Sequence, residues 1–270
     1  MRYGALVIIT ALMMVSAPPA YSSDGSTTRE MVSIEIISDH GGTFLTIPHK
    51  EYWKRGTHII KQYLEARRGE HYGIVIRNMT SDRIGVVIAV DGRNIISGKQ
   101  SDLKNSEAMY IVNSYGYGRY AGWRTARDTV HTFYFTDSAD SYAMRTFSDS
   151  SAMGIIAVAV YREKEQPQPL YEYKRHEDTP AGPPAKRSAP GKAEAFGDER
   201  AGTGFGDEHY SPTIRVAFIP EKRPVQKTLI KYEWREVLCR KGILFCQADP
   251  RNRLWDEDEY APYPPGYARH

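Results

Sequence analysis

The feature that most constrains the fold is the run from Ile84 to Val90 together with the dipeptide that ends it, Asp91-Gly92. The run is nearly continuous, apolar and β-branched, the pattern of a strand buried on both faces and therefore central in its sheet. Asp-Gly followed by Asn94-Ile95-Ile96 is a strong hairpin signal, because a two-residue type I′ turn needs positive φ at both positions. Other segments follow the same grammar. Val32 to Ile36 alternates apolar and polar with period two and is broken by Gly41-Gly42. Ile59 to Ala66 and Tyr72 to Ile76 read as two strands joined by a charged turn around Gly69. Val130 to Thr136 and Gly154 to Tyr161 complete a first set, and Thr213 to Ile219 and Thr228 to Tyr232 form a second. Glu233 to Lys241, stopped by Gly242, reads as one short helix.

Many short strands without intervening helical periodicity predict an all-β, mostly antiparallel fold, a β-sandwich or jelly roll with one short C-terminal helix. The expected organisation is a signal peptide over 1–22, a sandwich core over 30–162 and a Pro-rich disordered linker or excursion over 163–200. Additional strands and the helix follow over 201–246, and then an acidic, Pro/Tyr-rich tail over 247–270. The excursion carries Pro167, Pro169, Pro180, Pro183, Pro184 and Pro190 among charged and small residues, too little apolar surface to offset ordering.

Compartment is read from the start of the chain. Arg2, the uncharged apolar run Ala5 to Val15 and the small residues after Pro18 and Pro19 follow signal-peptide grammar, with cleavage after Ser22 or Ala20. That run is well short of the roughly 20 residues that span a bilayer. The expectation is therefore a chain exported to a periplasm or to the extracellular space, with no transmembrane segment in its mature form. There an oxidising environment permits Cys239 and Cys246 to pair if the chain turns to bring their Cα atoms within about 7 Å; otherwise they are two small buried hydrophobes. The charges, 36 Lys and Arg against 33 Asp and Glu, are interspersed, so no stripe points to nucleic acid.

The chemistry-bearing residues are sparse. Eight histidines show no metal-ligand spacing, no nucleophile motif occurs, and no glycine pattern opens a helix for a cofactor, so neither a metal nor a cofactor is expected. The sequence Phe196-Gly-Asp-Glu199 recurs at Phe205 to Glu208, but two copies do not make a calcium-binding array. Asn78-Met79-Thr80 matches a glycosylation acceptor or a turn. The richest stretch is Tyr110 to Thr125, in which Tyr115, Tyr117, Tyr120, Trp123 and Arg124 lie among glycines. They make either a platform for an envelope glycan or protein partner, or aromatic packing over the sandwich end. The expected function is a non-enzymatic binding or structural module of the cell envelope. The alternative is a hydrolase of peptidoglycan or polysaccharide using carboxylates such as Asp128, Asp137 or Asp140, although Asp at strand ends is commonly a turn former.

The segments Ile84 to Asn94, Gly122 to Thr125, Phe133 to Thr136 and Gly154 to Val160, with Gly202 to Gly206, Tyr210 to Pro212 and the helix ending at Gly242-Ile243, resemble a group of uncharacterised exported bacterial proteins. The resemblance covers about 130 residues in two blocks and brings no activity and no site residues. It implies a bacterial envelope or extracellular setting, with Gly202 to Ile243 belonging to the β domain.

Overall fold

Asp91 and Gly92 both have positive φ, 48° and 76°, and the strands they join pair Val90 with Arg93. The hairpin is the one the dipeptide encodes. The computed structural model describes residues 31–164 and 200–246. The signal-peptide, Pro-rich and tail expectations therefore lie outside the described residues, apart from the few at the borders of the Pro-rich stretch. In chain order the strands are β1 (Val32–Ser38), β2 (Thr46–Lys54), β3 (Thr57–Ala66), β4 (His71–Asn78), β5 (Ile84–Val90), β6 (Arg93–Asn94) and β7 (Tyr110–Val112). They continue with β8 (Tyr117–Tyr120), β9 (Gly122–Arg124), β10 (Thr129–Asp137), β11 (Ile155–Arg162), β12 (Ala201–Thr203), β13 (Glu208–Tyr210) and β14 (Gln226–Trp234). Helix α1 (Tyr142–Phe147) precedes β11, and α2 (Arg235–Arg240) follows β14.

The fold is a mostly antiparallel, all-β sandwich of two sheets. One runs β1-β4-β10-β12, with β8 on β4 and with β9 and β13 on β10; the other runs β2-β3-β14-β11-β5-β6, with β7 on β5. Their inner faces meet in one core, where the rings of Tyr72, Phe133 and Phe135 from the first sheet stack toward Tyr232 from the second. All seven residues of β5 are buried. Ile84, Val86, Ile88 and Val90 face the core, whereas Val87 joins Ala159 and Tyr161 on the outer face beneath Leu103 and Met109. That cover explains why the run carries no polar alternation.

Several expectations change. β3 and β4 flank the charged turn as expected, but they belong to different sheets, so the turn is a corner. The one parallel ladder among the described residues joins β3 to β14. β2 was not legible because Pro48 and its run of polar residues break the alternation; it is an exposed edge strand with an irregularity between Pro48 and Lys50. The Tyr110 to Arg124 stretch is not a loop: it holds β7, β8 and β9. A second helix, α1, begins where Ser141 Oγ accepts a bond from the Met144 amide. Thr213 to Ile219, expected as a strand, belongs to no ladder. It carries the chain from the first sheet, where Ser211 and Thr213 donate to Asp128 and Arg127, to the second, where Lys164 donates to Ile219 and Glu221 to Arg162.

Candidate functional site

The five aromatic and basic residues picked from the sequence do not form one surface. Trp123 is 2% exposed: its ring packs on Phe133 and Tyr142, and its indole N–H donates to the Gly204 carbonyl at 2.9 Å. It presents no face to a ligand. Gly204 itself lies so close against the Tyr134 ring that no Cβ would fit, which explains one glycine of the Gly202 to Gly206 motif. Tyr120 is half-buried against Tyr110, at 4.4 Å between ring centroids, and burial raises its hydroxyl pKa.

Arg124 is spent on the scaffold. Its Nε donates to Tyr110 Oη at 2.7 Å, and Nη1 donates to the carbonyls of Ser211, Ala126 and Arg127. Nη2 donates to Ser211 Oγ, so the guanidinium pins the start of the 212–220 crossover to the β9–β10 turn. Tyr115, in the turn before β8, and Tyr117, the first residue of β8, are exposed, and the Arg77 guanidinium lies 5.6 Å from the Tyr117 ring.

The other sequence candidates resolve by position. Asn78 is buried. Its amide donates to Asp82 and Asn113 carbonyls, and its Oδ1 accepts from both the amide and the hydroxyl of Thr80. All of its capacity is used to build a turn. Asp128 and Asp137 bracket the nine-residue strand β10 and so stand about 30 Å apart along an extended chain. A glycosidase pair needs roughly 5–10 Å. Asp137 instead lies beside Arg68 at 3.6 Å. Cys239 and Cys246 are joined in a disulfide with their Cα atoms 5.5 Å apart, the turn being made by Gly242 at φ +67°. Among the described residues, no three metal-ligating side chains converge, and no helix is long and apolar enough to cross a membrane.

Two polar constellations stand out. The first is interior. Asp91, wholly buried, accepts from the Gly154 amide at 2.8 Å and Tyr232 Oη at 2.5 Å on one oxygen, and from the Thr203 amide at 2.7 Å on the other. Tyr232 donates its one proton to Asp91, so Thr203 Oγ1 must donate to Tyr232 and Tyr72 Oη to Thr203. This directed chain starts on β4, crosses the sandwich through β12 and ends on the β5–β6 turn. Burial pushes the Asp91 carboxyl up to about 6, with the bonds from Tyr232 and from the Thr203 and Gly154 amides opposing the shift. Burial likewise holds both tyrosine hydroxyls well above their ordinary value.

The second is a surface groove of about 1030 Å³ between the 212–220 crossover, the β9–β10 turn and the segment before β7. Its apolar lining includes Ile96, Met109, Tyr110 and Phe218. Gly85 makes the room for Phe218, since a Cβ there would stand 2.6 Å from the ring. Of the titratable groups on the lining, Glu107 is used up by Ser101 and by the amides of Asp102 and Lys104. Arg83 is paired with Glu163 at 2.9 and 2.5 Å. Arg127 and Arg215 are exposed, and their guanidinium groups have no partner among the described residues. With Arg83 neutralised by Glu163, the lining carries Arg124, Arg127 and Arg215 against Glu107, so the net charge of the groove is positive. Neither arginine stood out in the sequence, because a lone Arg in a turn or a strand-like run carries no motif. The available signal was the alternation from Thr213 to Phe218, with Ile214, Val216 and Phe218 on one side and Arg215 on the other.

Compared with protein-family models, curated proteins and solved structures, the chain matches none.

Proposed function

We propose that this chain is an exported, non-enzymatic binding module of the bacterial cell envelope, and that its groove takes an anionic ligand that also carries apolar groups. The observation that carries the reading is the pair Arg127 and Arg215: two guanidinium groups without partners among the described residues, on the rim of a groove with an apolar lining. Guanidinium favours carboxylate, phosphate or sulfate through charge-assisted bonds. The volume lies at the upper end of the range for small-molecule sites, room for an oligomer of a few units. The signal-peptide grammar of the first residues supports export. The distance between Asp128 and Asp137 speaks against the hydrolase alternative built on those carboxylates.

A thermal-shift series on the purified chain tests the groove, using acidic peptides, uronic acid oligomers, peptidoglycan fragments and inorganic phosphate. A ligand at about 100 times its dissociation constant adds roughly 2.7 kcal/mol, several degrees for a chain of this size. The expected result is a saturable shift that weakens with salt and disappears in Arg127→Gln/Arg215→Gln. A shift that persists in that double variant, or no shift across the series, overturns the reading.

A further inference from the structure

The 212–220 crossover has a property that a simple rim does not need. Between its anchors at Thr213 and Ile219 it runs without helix, turn or bend. Over that length the amide N–H groups of Ile214 to Ile219 find no acceptor among the described residues. The carbonyls of Ile214, Arg215 and Val216 find no donor, while that of Ala217 accepts from Arg83. The sequence sets apolar Ile214, Val216 and Phe218 at every second position around Arg215, and Ile214 and Val216 are left 81% and 48% exposed. An extended run of free N–H and C=O groups with apolar residues at every second position is a template for an added strand.

We infer that the ligand of this groove is an extended peptide with alternating apolar and acidic residues, bound by strand addition along Ile214 to Ala217, with its carboxylates on Arg215 and Arg127. The inference rests on the anionic-groove reading above and narrows it to a ligand class. Only a peptide repeats N–H and C=O at the spacing of the crossover; a sugar acid supplies carboxylates but no ladder. A second copy of the chain is a poor occupant. Pairing that uses all of residues 213–217 against themselves, parallel or antiparallel, sets Arg215 opposite Arg215, and like charges directly opposed are unfavourable. An acidic residue at that position converts the clash into an ion pair. Its apolar neighbours meet Ile214 and Val216.

The test uses the full chain, isotopically labelled, with three probes. They are the peptide acetyl-Ser-Val-Asp-Val-Glu-Leu-Ser-amide, the same peptide with Asn and Gln replacing Asp and Glu, and a trigalacturonate that has carboxylates but no peptide groups. The acidic peptide should bind saturably and slow amide exchange at least tenfold at Ile214 and Val216, the alternate residues whose N–H groups face away from the anchored side of the crossover. Val216→Pro, which removes one amide, should weaken it tenfold or more, and so should N-methylation of alternate peptide amides, which leaves the protein untouched. Arg127→Gln/Arg215→Gln should cost at least as much. Equal binding of trigalacturonate, insensitive to Val216→Pro, overturns the peptide inference while leaving the anionic groove standing. Equal binding of the neutral peptide overturns the acidic requirement, and failure of all three probes overturns both readings. If the amides of Ile214 and Val216 are protected without any probe and are released by deleting residues 247–270, the occupant is the acidic run at Asp256 to Glu259. If protection grows with protein concentration alone, the occupant is a second copy. Either result overturns an external peptide.

Discussion

The Asp91 site and the Arg127–Arg215 rim are opposites in how the fold treats charge. Asp91 sits at zero exposure, and its oxygens take three donors from β12, β14 and the turn before β11. It has hydrogen bonds but no counter-charge, a combination that holds a structure together and offers nothing to solvent. Arg127 and Arg215 have the reverse: exposed positions and no partner among the described residues. Charge that is buried and satisfied fixes register and sheet-to-sheet alignment, whereas charge left open beside apolar surface is free to bind. Perturbed titration alone would have nominated Asp91 as the functional residue. Access decides against it.

The contrast is broken most forcefully at its buried end. Asp91→Ala leaves the Gly154 amide, the Thr203 amide and the Tyr232 hydroxyl without their acceptor in the interior, and each such group costs about 1–3 kcal/mol. We expect a loss of about 3–5 kcal/mol, seen as a fall of roughly 10 °C in the melting midpoint. A loss under about 1 kcal/mol would remove the network from the account of stability.

Trp123→Ala should cost a similar amount, about 3–5 kcal/mol, because the ring is interior. Urea unfolding measures it, and unchanged stability with lost peptide binding would return Trp123 to the surface platform that its sequence context suggests.

A pH comparison sharpens the contrast. The Asp91 carboxyl is raised from 3.8 to about 6, so between those values the folded chain holds a proton that the unfolded chain has released. Stability from this group is therefore fully present below about pH 4 and is lost as pH rises through 6. Against Asp91→Asn, which does not titrate, the wild type should lose on the order of 2 kcal/mol between pH 4 and pH 7. A flat difference would mean that the amides and Tyr232 stabilise the ionised form as well as water does.

The smallest effect belongs to the open end. Arg127→Gln/Arg215→Gln should change stability by less than about 0.5 kcal/mol, while binding of the acidic peptide falls at least tenfold. Destabilisation beyond 1 kcal/mol would make the pair structural.

What the sequence disclosed follows the range of the interactions. The Ile84 to Asn94 hairpin was legible because strand, turn and return lie within eleven residues and each obeys a local rule. α2 was legible from Gly242, although its start moved to Arg235. The position of Trp123 was not, because its burial depends on Gly204, 81 residues away. The crossover shows both sides of this limit. Its strand-like pattern was visible, but whether it had a partner depended on the sheets it connects. The rim arginines were invisible for the same reason: an unpaired charge is defined by what fails to approach it.

The place of β14 governs when the molecule can come into being. It is the last strand among the described residues, yet it lies between β3 and β11, with Thr57 held to Pro224 across 167 residues. Until residues 226–234 are available, the second sheet is two fragments with facing bare edges, and its parallel ladder is the kind that forms slowly. A nascent chain therefore cannot close its second sheet until residues 226–234 have emerged. Any product truncated before Gln226 exposes two open strand edges and is driven toward aggregation.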